Sequence, residues 1–130
     1  MIGTGSPFPP VTRDGRAFRI DQTNNAYVYP GIGLGVIAAR ARAVSDGMFL
    51  AAARTVAELS PAKSDPRANL LPPLAELRHV SQQVAIAVAK QALSEGLTDL
   101  GSDDDVAAHI RAKTWEPAYA PYRRLRHSQI

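Results

Sequence analysis

The chain has 130 residues, a net charge of +3, 45% hydrophobic residues and 21% charged residues, the composition of one ordinary globular domain. The absence of cysteine excludes a disulfide framework, a thiolate metal site and a thiol nucleophile. So small a basic excess does not point to nucleic acid. The longest uncharged stretch, 22–39, carries two Asn, one Pro and three Gly and is too interrupted to cross a bilayer.

The first twenty residues read as strand and turn. Asp14-Gly15 lies between the β-prone runs 10–12 and 17–20, the signature of a hairpin. Ser6-Pro7-Phe8-Pro9-Pro10 is extended, because each proline pushes its predecessor out of the helical region. Residues 26–29 are predicted to form one more short strand.

Helices follow. Residues 31–43 are apolar almost all round until Arg40 and Arg42, which predicts a buried helix. Ser45 suits the N-cap of the next, with Phe49, Ala52, Ala53, Val56 and Leu59 at helical spacing. Residues 60–75 hold four prolines and form a long loop, with Leu70 and Leu71 expected to pin it down. A third helix over 77–95 puts Leu77, Val80, Val84, Val88 and Ala92 on one side, and Gly96 stops it. Ser102 caps a fourth, whose first turn places Asp103, Asp104 and Asp105 at the positive end of the helix dipole. Val106 and Ile110 form its narrow apolar stripe, and Pro117 closes it. The remainder, 116–130, is a basic tail with Arg123, Arg124, Arg126 and His127. The bulk of the chain is therefore 1–115.

One hairpin and one strand make a poor sheet, and a helix apolar on every face needs cover on all sides. The pattern is that of the end of a larger α/β domain.

Chemistry-bearing motifs are few. Gly31-x-Gly33-x-Gly35 follows the predicted strand and opens a helix, as a dinucleotide fingerprint does. Yet its third glycine comes one residue early, and no acidic residue stands about 20 residues on at a strand end. Close packing is the better account of these glycines, and without G-K-[ST] a P-loop is excluded. Asn24-Asn25 has two readings. Carboxamides offer donors and acceptors without charge and suit a substrate carboxylate. They also build Asx-turns on their own backbone. His79, His109 and His127 show no metal-ligand spacing, and no serine sits in a G-x-S-x-G elbow.

Several segments in series resemble the C-terminal region of malic enzymes. They are GTGSPFPPV at 3–11, QTNNAYVYPGIGLGVIA at 22–38, VSDGMFLAAARTVAEL at 44–59, LLPPLAELRHVSQQVAIAVAKQA at 70–92 and TWEPAYAPYRRL at 114–125. The resemblance implies an α/β fold: the C-terminal part of a Rossmann-like NAD-binding domain, itself mostly α-helical with a short N-terminal β-hairpin and strand. It implies oxidation and decarboxylation of (S)-malate to pyruvate and CO₂ with NAD or NADP, aided by Mg or Mn. It assigns Asn24 and Asn25 to malate binding, with Ser6 near the cofactor pocket. The family's catalytic Tyr and Lys, its metal ligands and its dinucleotide fingerprint lie upstream of the matching region, so no catalytic or metal-ligating residue is expected here. The family is several times longer, and Met1 falls where it has an interior strand residue. The expectation is a fragment, inactive alone, that assembles with the remainder of the enzyme as a cytoplasmic homo-oligomer, with neither nucleic acid nor membrane as partner. A stand-alone helical interaction module is the alternative.

Overall fold

A computed structural model describes residues 2–119 and 121. Among the described residues, four short strands precede four α-helices. Strands β1 (Ile2–Thr4) and β4 (Ile20–Gln22) pair in parallel, with Ile2, Gly3 and Thr4 opposite Ile20, Asp21 and Gln22. Between them β2 (Val11–Arg13) and β3 (Arg16–Phe18) form an antiparallel hairpin. Its turn is the expected Asp14-Gly15. Both residues have positive φ, 51° and 72°, as a tight twisted hairpin turn demands.

The predicted strand over 26–29 does not form. Asn25–Tyr27 is a single 3₁₀ turn, and helix α1 (Tyr29–Ala39) begins directly after it. The Asn24 side chain caps that turn, so the backbone curls where aromatic and branched residues alone favour extension. The strand of this region is instead Ile20–Gln22, a few residues earlier.

Helix α1 ends earlier than its apolar run suggests. Arg40 adopts the left-handed conformation at φ 50°, and the Ala41 amide bonds back to Val36 O at 3.1 Å. This is a Schellman-type stop made without glycine. Helix α2 (Asp46–Glu58) starts as expected, with the Ser45 hydroxyl accepting from Met48 N at 3.1 Å. Its buried stripe is Met48, Ala52 and Val56, whereas Phe49 and Ala53 are exposed. Helix α3 (Leu77–Ser94) buries Val80, Val84, Val88 and Ala92, as their spacing predicts. Gly96, at φ 67°, reverses the chain, and Leu97 N reaches Ala92 O at 2.8 Å. In α4 (Asp103–Lys113), Val106 and Ile110 are fully covered.

The core has two joined parts. One gathers Tyr27, Ile32, Met48 and Val56 around the valine stripe of α3; the other joins Ala38 and Ala39 of α1 to Ala85, Ala89, Val106 and Ile110. Helix α3 is thus the spine, with α1, α2 and α4 laid against it. The α1–α3 contact is close because of two glycines. A Cβ on Gly31 would stand 2.6 Å from the Val84 Cβ, and one on Gly35 would stand 2.7 Å from the Ala85 carbonyl oxygen. Gly33 meets nothing within 4 Å, so the packing account holds for two of the three glycines. The opposite face of α1 stays open, with Tyr29 60% and Ile37 67% exposed.

The long loop is anchored as foreseen, by more than leucines. Leu71 packs on the core, and Leu70 N donates to Asp21 Oδ2 at 2.7 Å. The Ser60 hydroxyl donates to Leu70 O at 2.6 Å, and the buried Tyr27 hydroxyl donates to Pro72 O at 2.7 Å. The basic character assigned to the tail falls almost wholly on residues outside the described ones.

Candidate functional site

The parallel pair marks a candidate site. In α/β folds, ligands bind outside the carboxyl ends of parallel strands, on the loops that leave them. Here β1 delivers Gly5-Ser6 and β4 delivers Thr23-Asn24-Asn25 at the same end of the pair. The ladder continues one step past the strands, with Thr23 N donating to Thr4 O at 2.8 Å. Gly3 allows this approach, since a Cβ there would stand 2.6 Å from Thr23 Cγ2. Carbonyl Gly5 O then collects two side-chain amides, Asn24 Nδ2 at 3.2 Å and Gln22 Nε2 at 3.4 Å. The Thr4 hydroxyl donates to Ser6 O at 2.7 Å. These bonds tie the two loops into one surface.

The two asparagines do different things within it. Asn24 uses both ends of its carboxamide locally: Nδ2 on Gly5 O, and Oδ1 accepting from Ala26 N at 2.9 Å. That is the Asx-turn geometry, and it joins β4 to the start of α1. Asn25, the first residue of the 3₁₀ turn, is exposed, and its amide makes no hydrogen bond to the described residues. It is the carboxamide able to turn to a ligand at once. The loops present hydroxyls and carboxamides, groups suited to a carboxylate or a sugar hydroxyl.

The glycine element does not add a phosphate cradle. Gly31 and Gly35 face α3 at van der Waals distance or less, and Pro30 lacks an amide hydrogen in the first turn of α1. Among the described residues, no group of three or more His, Asp or Glu is placed to hold a metal ion. Sequence reading missed Asp21 and Tyr27. Asp21 is buried at the centre of β4 and receives the Leu70 amide. Burial pushes the Tyr27 hydroxyl above its ordinary pKa of 10.0, and its bond to Pro72 O keeps it a structural donor. Neither has a local sequence signal, because both partners lie more than forty positions away.

Comparison with known proteins identifies the family. The family described as malic enzyme, NAD binding domain, matches residues 1–93. The NAD-dependent malic enzyme of Pseudomonas aeruginosa is 48% identical over 124 residues, covering 95% of this chain and 22% of that protein. That of Shewanella baltica is 46% identical over 124 residues, with the same shares covered. That of Acinetobacter baylyi is 42% identical over 125 residues, 96% of this chain and 22% of that protein. The chain therefore spans about 22% of the length of the curated relatives it matches. With a family match over most of its residues and the segments preserved in order, the chain belongs to the malic enzyme NAD-binding domain family, as a mostly helical portion of its Rossmann-like α/β fold.

Proposed function

We propose that this chain is the part of an NAD-dependent malic enzyme that brings the Asn24-Asn25 loop to the malate pocket and buttresses it with α1 and α3. The observation that carries the reading is the junction at the carboxyl ends of β1 and β4. There Asn24 stitches the two loops together while Asn25 stays exposed. Asn25 donates its amide to a malate carboxylate. A hydrogen bond to a charged group is worth roughly 1.5–3 kcal/mol. Asn24 acts as a positioning residue. In the assembled enzyme (S)-malate is oxidised and decarboxylated to pyruvate and CO₂, and bound NAD accepts the hydride.

The residues of this chain limit what it contributes. Gly31 and Gly35 are committed to α3, so this glycine element does not fit the pyrophosphate of a dinucleotide. Donors for Mg or Mn are assigned to the rest of the enzyme by the family resemblance, which places them upstream of the matching region. Proton transfer needs a positioned acid or base within hydrogen-bond reach of the substrate, and the strand-end loops display amides and hydroxyls. The 130 residues alone are expected not to turn over malate with NAD and Mn, and clear turnover would overturn this division of labour. NAD rather than NADP, and assembly as a homo-oligomer in the cytoplasm, belong to the same proposal.

The decisive experiment is a chimera in which residues 1–125 replace the matching segment of the Pseudomonas aeruginosa enzyme. Activity is expected to survive. Asn25→Ala in the chimera should lower kcat/KM about tenfold or more with unchanged thermal stability. Asn24→Ala should lower both activity and stability. Full activity in both variants would sink the pocket assignment.

A further inference from the structure

Helix α1 carries no charged residue from Tyr29 to Ala39. Its inner side is committed to α3 through Gly31, Ile32 and Gly35. On its outer side Tyr29, Gly33 and Ile37 are exposed, and a Cβ at Gly33 would meet nothing within 4 Å. Positions four apart share one helix face, so solvent meets a tyrosine, a bare stretch of backbone and an isoleucine. The outer sides of α2 and α4, by contrast, show Arg54, Glu58, Arg111 and Lys113. A surface helix sets a charged face against its apolar stripe, whereas one apolar all round is a buried helix.

The open face runs into a groove of about 450 Å³, which Pro30 and Leu34 of α1 line together with Leu77, Trp115 and Pro117. The far wall of this groove is held in place. The Arg78 guanidinium donates to Trp115 O and pairs with Glu116 at 3.2 Å. Trp115 itself is 76% exposed. Contiguous apolar surface of this kind marks an interface.

On the reading of this chain as part of an NAD-dependent malic enzyme, we propose that the outer face of α1 and the groove beside Trp115 receive the remaining polypeptide of that enzyme, which lays an uncharged apolar ridge across α1 at Gly33. Two observations select this occupant over a second copy of the chain. The curated relatives hold more than three quarters of their length outside the matching segment. Asn25, the residue assigned to malate, stands four positions before Tyr29 at the same end of α1. Whatever brings an acid and a base to malate there arrives where this face begins, and a second copy adds only the groups this chain already has. Gly33 suits the close passage of another backbone, as Gly31 and Gly35 do on the inner side.

The chain holds no cysteine, so single cysteines report burial directly. Ile37→Cys and, on the exposed side of α4, Ala112→Cys are placed in the 130-residue chain and in the chimera that carries residues 1–125 in the Pseudomonas aeruginosa enzyme. Maleimide labelling of each site is followed by peptide mass spectrometry. Both cysteines are expected to label fast in the chain at every protein concentration tried. In the folded chimera Ile37→Cys should label about tenfold or more slowly, as a side chain reached only through local opening does, while Ala112→Cys keeps its rate. Gly33→Leu supplies a second readout. Neutral or stabilising in the chain, it should lower the melting temperature of the chimera, and Ala112→Leu should not. Should the chimera not fold, the same substitutions at the matching positions of the Pseudomonas aeruginosa enzyme decide. Equal labelling of Ile37→Cys in chain and enzyme would overturn the proposal. So would protection in the chain that grows with its concentration, which assigns the face to a second copy. An unsubstituted chimera without activity but with Ile37→Cys still protected would sink the malate assignment and leave this docking surface standing.

Discussion

The helical half of this molecule and its strand half solve opposite problems. From Tyr29 to Lys113 the chain buries valines, alanines and a methionine around one central helix. From Ile2 to Gln22 nearly every residue is at least partly exposed, and the hairpin Val11–Phe18 shows both faces to solvent. A two-stranded ribbon of this kind is marginal by itself. Yet the groups with chemistry to offer, Asn25, the Thr4 and Ser6 hydroxyls and the carboxamide of Gln22, stand on the lightly buried side. Stability is concentrated in the bundle, and the proposed recognition falls to loops that the bundle orients.

Substitutions break or sharpen this contrast, most strongly in the bundle. Met48→Ala removes a side chain with no exposed surface and should cost about 2–5 kcal/mol in chemical denaturation. Next is the glycine pair. Gly35→Ala forces a methyl against the Ala85 carbonyl and Val88 and should destabilise by about 1–3 kcal/mol. Gly33→Ala, which points into open space, should instead stabilise α1 by up to about 1 kcal/mol. The same sign for both changes would refute the account of α1–α3 contact. Across the boundary between halves, Tyr27→Phe leaves Pro72 O without its donor. It should cost about 1 kcal/mol and speed hydrogen exchange at Leu70 more than at Val84.

The smallest effect is a pH dependence. The Ser45 hydroxyl first, and the Gln91 amide second, hold the Glu95 carboxyl below its ordinary value of 4.5. A depressed carboxyl contributes stability that is present above its unfolded value and lost as pH falls through the lower folded one. Stability should therefore decline slightly as the medium is acidified below pH 4.5. Glu95→Gln should flatten that part of the profile, as thermal melts at a series of pH values will show.

The helices were legible in the sequence because their signals are local. Ser45 caps α2, Gly96 stops α3, and Val80, Val84, Val88 and Ala92 keep helical spacing. The hairpin turn was legible for the same reason, in Asp14-Gly15. What failed was decided at a distance or by a single side chain. Residues 26–29 have strand-like composition, but the Asn24 carboxamide curls them into a 3₁₀ turn. The α2 stripe holds at Ala52, Val56 and Leu59, but α3 covers Met48 and leaves Phe49 and Ala53 outside. The family was recognisable from whole segments in series. The different local surroundings of Asn24 and Asn25, and the burial of Asp21 against Leu70, required coordinates.

The glycine-lined contact reaches beyond packing. Because α1 lies backbone to side chain on α3 and follows the asparagine turn without a linker, any shift of α1 against α3 carries that turn with it. A bulkier residue at Val84, remote in sequence from either asparagine, would pry the helices apart and tilt the turn. Under the proposed pocket assignment, variants with altered malate affinity are to be sought along the α1–α3 contact as well as at Asn24 and Asn25.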